Sequence, residues 1–199
     1  MKKIEGYLSV GKTSIDPEAF NPIFNTDSPV PQGGFWASKH EYGRTCYNDW
    51  MDYLTEKPHL IYYKYPMYPI PAVFFTLKED ANILQIDSAA KYDAIKASYP
   101  GKFDNIDFES LAEVYDGLFI DVSALAKDET KQNVVQKFSV SSLLLFNFNC
   151  IREYRQASIF IEVDHNHGFP LYEYNIVPKR KKYTIENGPV LKREKKDAK

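Results

Sequence analysis

Apolar and polar positions alternate, or apolar residues form short runs, in several parts of the chain, and both patterns predict strands. Alternation is typical of a strand with one buried face, whereas a short run between Gly, Pro, Asn or Ser residues is typical of a fully buried one. The predicted strands are Tyr7–Val10, Gly33–Ser38, Ala72–Leu77, Asn82–Ile86, Leu118–Val122 and Leu143–Phe146. Further along, Ala157–Val163 and Leu171–Ile176 predict a hairpin, and Tyr183–Ile185 is a further candidate strand.

Helices are predicted where a side chain that can cap a helix precedes apolar residues at helical spacing. Ser88 caps a helix that runs to about Tyr99, and Asp107 caps a helix over Phe108–Tyr115 with Leu111 and Val114 facing inward. A third helix, Tyr47–Leu54, carries Trp50, Met51 and Leu54 on one face.

Two proline-rich segments separate these elements. Asn21–Gln32 contains three prolines and predicts a long loop, which in a compact domain is often functional. Lys57–Pro71 is rich in Pro and Tyr. Because proline lacks a backbone donor and fixes φ, this segment predicts an irregular surface stretch or a lid.

Composition adds the domain organisation. A chain of 199 residues with 15% aromatic residues favours one α+β domain over residues 1–177. Residues 178–199 form a basic, partly disordered tail, which would contact the phosphate backbone of a nucleic acid if it binds one. The sequence contains two widely separated cysteines, neither a signal peptide nor a membrane span, and therefore predicts a soluble cytoplasmic protein.

The stretch around which the chain is organised is Gly33–Ser38, which reads Gly-Gly-Phe-Trp-Ala-Ser. Two glycines permit a tight turn or a close approach to a ligand. Of the two tryptophans of the chain, Trp36 lies in this stretch and Trp50 lies in the helix that is predicted to follow it. This pattern leaves two interpretations open: a strand whose aromatic side chains fill the core, or the floor of a ligand cleft.

The order of these motifs resembles that of a family of small microbial and phage proteins that look like ADP-ribosyltransferases. The central match is the Gly-Gly-(Leu/Phe)-Trp-Ala-Ser strand, and the resemblance covers residues 4–151. The matching segments are Leu8–Lys12, Ile15–Phe20, Gly33–Ser38, Tyr47–Trp50 and Phe138–Asn147.

The resemblance implies a split, mixed or antiparallel sheet with a few short helices around a cleft for NAD+. In such enzymes the first strand holds the adenosine ribose and the second strand lines the nicotinamide ribose. A late acidic residue stabilises the cationic ribosyl transition state, because its negative charge stabilises the transition state more than the ground state. The residues that would bind the nucleotide here are Ser9, Gly11, Gly34, Trp36, Ser38, Tyr42 and Trp50.

Departures from the family pattern fall on the residues that would do the chemistry. Ser9 stands where the family has a first-strand His, and Ser139 and Ser141 stand where it has its late acidic pair. The chain is therefore a diverged, inactive relative, or an enzyme that takes its acid from elsewhere. The candidate acids are Glu41, Glu109, Glu113 and Glu162.

Two functions follow as hypotheses. One is an ADP-ribosyltransferase-like protein that binds NAD+, or another nucleotide containing ADP-ribose, and transfers ADP-ribose to a protein or nucleic acid. The other is a non-catalytic binding or inhibitor protein of a phage or mobile element, which holds its partner with the cleft or the Lys57–Pro71 segment. A carboxylate beside Ser38 would favour the enzyme. No metal site is expected, since His165 and His167 fit a solvated hairpin tip.

Overall fold

The computed structural model describes residues 4–42, 47–57, 60, 70–161 and 183–186, and within these the fold is α+β. Its strands are β1 Ile4–Val10, β2 Asn21–Phe24, β3 Gln32–Tyr42, β4 Tyr47–Asn48, β5 Ile70–Leu77, β6 Ile83–Ile86, β7 Gly117–Ile120, β8 Ser142–Leu145, β9 Ile151–Ile161 and β10 Tyr183–Glu186. Its α-helices are α1 Asp49–Glu56, α2 Ala89–Ser98, α3 Phe108–Val114, α4 Val122–Leu125 and α5 Gln132–Phe138. Short 3-10 turns occupy Pro17–Ala19, Lys102–Asp104 and Glu129–Lys131.

Eight strands form one mixed sheet in the order β10-β9-β5-β1-β3-β8-β7-β6. Neighbouring strands are antiparallel except β6 and β7, which are parallel. The short strands β2 and β4 pair with β3 outside this order. Within the described residues, no helix is long and apolar enough to cross a membrane.

Strand β3 pairs with different neighbours over different parts of its length. Its residues Phe35–Ala37 pair with β8, whereas Ser38–Tyr42 pair with β1. Side chains of β3 alternate between the two faces of the sheet. Phe35 is buried on one face against Phe75, while Trp36 packs on the other face with the residues around α5. The pairing partner of β3 therefore changes between Ala37 and Ser38.

Most of the predicted helices are confirmed by their caps. The Ser88 hydroxyl accepts a hydrogen bond from the Lys91 backbone N–H at 3.3 Å, and α2 follows it. Asp107 caps α3 in the same way, but the prediction for Val114 is wrong, because this last residue of α3 is 55% exposed. Met51 and Leu54 of α1 are fully buried, as their spacing predicts.

The boundaries of several elements differ from those predicted. The segment Asn21–Gln32 is not all loop, since β2 pairs with β3 despite Pro22, on a short strand where a missing donor is tolerated. Most of the predicted irregular segment Lys57–Pro71 lies outside the described residues, but its end at Pro71 belongs to β5, and the Pro71 carbonyl accepts from the Gly11 N–H at 2.6 Å. Val122 begins a helix instead of ending a strand, because Asp121 caps α4.

The strand predicted at Ala157–Val163 begins earlier than expected. β9 starts at Ile151, and β9 pairs at Ile161 with Tyr183 of β10, so the candidate strand at Tyr183–Ile185 is confirmed. The start of β9 was missed because its residues Arg152–Gln156 are all exposed and show no apolar alternation. The predicted strand Leu171–Ile176, the two loop histidines and most of the basic tail lie outside the described residues.

Candidate functional site

A cavity of about 300 Å³, here called cavity A, lies against the part of β3 where its pairing partner changes. Trp36 and Ser38 of β3 and Trp50 of α1 line it, so three residues predicted to bind the nucleotide meet at one site. Leu8 and Val10 of β1 add apolar walls. Since Leu8 and Ser38 are directly paired, their side chains point to the same face. Val30, Ala37, Ser142 and the end of α5 at Lys137–Val140 complete the lining.

The two indole rings of cavity A are held by fixed contacts. The Trp36 Nε1–H donates to the Gly33 carbonyl at 3.0 Å, and its ring centroid lies 6.0 Å from that of Phe138. Trp50 stacks on Tyr53 with centroids 5.4 Å apart and ring planes 18° apart. Both indoles are half-buried. Each therefore presents a positioned aromatic surface to the cavity, which suits a planar ligand.

Ser38 is tied to the start of α1. Its hydroxyl donates to Asn48 Oδ1 at 2.9 Å, and the same oxygen accepts from the Met51 N–H at 3.0 Å. Asn48 Nδ2 donates to the Lys39 carbonyl at 3.1 Å. The Ser38 proton is thus used within the protein, and its oxygen is left to act as an acceptor. Asn48 was missed as a site residue, although an Asn just before helical spacing is a capping signal.

Other predicted nucleotide-binding residues are not part of cavity A. Ser9 lies on the opposite face of β1 from Leu8 and Val10, because side chains alternate along a strand. The Gly11 N–H is used in bonding to Pro71. At Gly34 a Cβ atom would lie 2.3 Å from Leu144 Cδ1, so this glycine serves the packing of β3 on β8.

The candidate acids also lie away from cavity A or outside the description. Glu109 and Glu113 are exposed on α3, and Glu109 Oε1 accepts from the Asn25 N–H at 2.8 Å. Glu41 and Tyr42 lie in β3, where their backbones pair with β1. Their side chains and the whole of Glu162 lie outside the described part of the chain. Among the described residues that line cavity A there is no carboxylate.

A second cavity of about 220 Å³, here called cavity B, adjoins cavity A. Both are lined by Ser139 and Val140, which form their common wall. Cavity B contains two carboxylates, those of Asp49 and Asp52 in the first turn of α1. Sequence reasoning missed these acids, although they flank Trp50 in the matched motif Tyr47–Trp50 and its continuation.

The common wall is a strained turn. Ser139 has φ 66° and ψ −43°, and the Val140 N–H donates to the Phe138 carbonyl at 2.8 Å. This is a γ-turn with positive φ, a conformation that is rare and unfavourable for a residue with a side chain. Such strain is often found at binding sites. Ser139 lines both cavities, and Ser141 lines cavity B.

No family model, curated protein or solved structure matches the chain. The resemblance to ADP-ribosyltransferase-like proteins therefore rests on the sequence motifs alone. The two cavities are defined by their lining residues, independently of that resemblance.

Cys150 offers no nucleophile to this site. Its thiol is 2% exposed, and burial, followed by the nearby Asp116 carboxylate, raises its pKa to about 11. A thiol with so high a pKa stays protonated near neutral pH, whereas the thiolate is the reactive form. Cys46 lies outside the described residues.

Replacing Ser139 by glycine is expected to stabilise the protein by about 1 kcal/mol, because glycine adopts positive φ without strain. Part of the relieved strain is offset by the greater freedom of glycine in the unfolded chain. Urea denaturation measures the change. Ser98→Gly, at an ordinary helical position at the end of α2, is the matched control and should be destabilising. Equal destabilisation at both positions would contradict the strained turn.

Proposed function

We propose that cavity A binds NAD+ or another nucleotide that contains ADP-ribose, in an ADP-ribosyltransferase-like site. The observation that carries this proposal is the meeting of both tryptophans with Ser38 at one open cavity. Aromatic faces stack on bases of any kind, and the volume of the cavity is at the lower end of the range of ligand sites. The exposed ammonium group of Lys137 at the same cavity suits a phosphate.

The sheet supports the same proposal. An ADP-ribosyltransferase-like cleft needs a split sheet, and β3 pairs with β1 and with β8 over separate parts of its length. Cavity A lies where one pairing ends and the other begins. The nucleotide would then contact the strand that joins the two halves.

Binding without turnover is the second candidate function, and a specific observation favours it. Cleavage of the glycosidic bond creates a cation that a nearby carboxylate must stabilise. No described residue of cavity A supplies one, and the carboxylates of Asp49 and Asp52 lie in the adjoining cavity B. A binding or inhibitor protein that retains the cleft needs no such group.

Intrinsic fluorescence tests the proposal directly, since the only two tryptophans of the chain line the cavity. We expect NAD+ to change the emission saturably, and Trp36→Phe and Trp50→Phe each to remove part of the signal. Nicotinamide release from the same samples separates the two functions: release identifies an enzyme, and a saturable signal without release identifies a binding protein. An unchanged emission at millimolar NAD+ would contradict both.

A further inference from the structure

We infer that cavity B is the subsite for the ribose hydroxyls of the nucleotide whose base lies in cavity A, with Asp49 and Asp52 as the acceptors. This inference rests on the proposed function and names a part of the site that neither the predicted nucleotide-binding residues nor the candidate acids include. The ligand class is a nucleotide with a free 2′,3′-diol.

The lining of cavity B has the chemistry that a sugar requires. Asp49 and Asp52 line it together with Tyr53, Ser123, Ser139 and Ser141, whereas the lining of cavity A includes no carboxylate among the described residues. A carboxylate that accepts hydrogen bonds from ribose hydroxyls is a recurrent device of nucleotide sites. Such bonds are stronger than those between neutral groups, because the acceptor is charged.

Helix α1 places two carboxylates next to an indole ring. Asp49 and Asp52 are three residues apart and therefore lie on one side of the helix. Trp50, between them in sequence, lines cavity A instead. Asn48 caps the helix and bonds to Ser38, so the start of α1 is held against β3. One ligand can therefore stack its base on Trp50 and turn its sugar toward the carboxylates.

The opposite wall is the turn at Ser139. Because Ser139 and Val140 border both cavities, a ligand that bridges the two must pass along this turn. The Ser141 hydroxyl accepts from the Val122 N–H at 3.1 Å, which links the turn to the start of α4. The wall between base and sugar is thus built by the ends of two helices.

The test compares AMP with 2′,3′-dideoxy-AMP, using the emission of the two tryptophans to measure affinity. AMP is a fair probe because stacking on indole tolerates any base. We expect wild-type protein to bind AMP about tenfold more tightly than the dideoxy compound, the effect of one or two hydrogen bonds to a charged acceptor. The double variant Asp49→Asn/Asp52→Asn should bind both compounds with the affinity that wild-type protein shows for dideoxy-AMP.

Asp87→Asn, an exposed change before α2, is the matched control and should leave both affinities unchanged. Equal affinity of wild-type protein for the two nucleotides would overturn the ribose subsite but leave the nucleotide site. Discrimination that persists in the double variant would also overturn it. If neither nucleotide binds, the ribose subsite is overturned, and the titration with NAD+ described above decides the proposed function separately. The comparison on wild-type protein needs no substitution, so a poorly folded variant cannot obscure the outcome.

Discussion

Replacing Gly33 by alanine is expected to lower the free energy of unfolding by at least about 3 kcal/mol, because two effects add. Gly33 has φ 86°, a conformation that L-residues with a side chain rarely adopt. A Cβ atom there would lie only 1.8 Å from the Pro22 carbonyl oxygen, so the backbone of β2 would have to move. Chemical denaturation followed by far-UV circular dichroism measures the loss.

The adjacent exposed residue Gln32 provides the control for this change. Gln32→Ala alters the same strand without a positive φ and should change the free energy of unfolding by less than about 0.5 kcal/mol. A loss at Gly33 as small as that at Gln32 would show that β2 does not pack on β3 as described.

Replacing Asn48 by alanine is expected to be the most damaging change at the site itself, at about 2–4 kcal/mol. The substitution removes the cap of α1 and leaves the buried Ser38 hydroxyl without its acceptor. Because α1 carries Trp50, we also expect nucleotide binding to weaken strongly. Urea denaturation and tryptophan emission measure the two effects separately.

Removing a second helix cap shows how much of this loss comes from the cap and how much from the bond to Ser38. Ser88→Ala removes the cap of α2 and should cost about 1 kcal/mol, the usual value for such a change, with no effect on binding. If Asn48→Ala costs no more than Ser88→Ala, the bond to Ser38 contributes nothing and the coupling of β3 to α1 is wrong.

The helices could be predicted because their signals are local. Ser88 and Asp107 precede apolar residues at helical spacing, and α2 and α3 begin where these caps indicate. Tolerance of proline is not a local property. Pro22 and Pro71 lie in strands because the neighbouring strands do not need the missing donor there, and this depends on pairing across the sheet.

The site was predictable only in part, for a similar reason. Trp36, Ser38 and Trp50 were predicted from the resemblance, whose matching motifs lie close together in sequence at this point. Cavity B lies between α1 and the turn at Ser139, which is about ninety residues later in the chain. No local sequence pattern predicts that these two segments meet. Ser9 shows a further limit, since a shift of one residue in a strand moves a side chain to the other face.

The central claim is that a nucleotide occupies cavity A, and calorimetric titration of wild-type protein and Val30→Trp with NAD+ tests it most directly. Val30 is a half-buried residue of the cavity wall, so an indole there should fill the space and leave the fold intact. We predict saturable heat from wild-type protein and none from Val30→Trp at an unchanged melting temperature. No heat from wild-type protein, or the same affinity in both, would contradict the account.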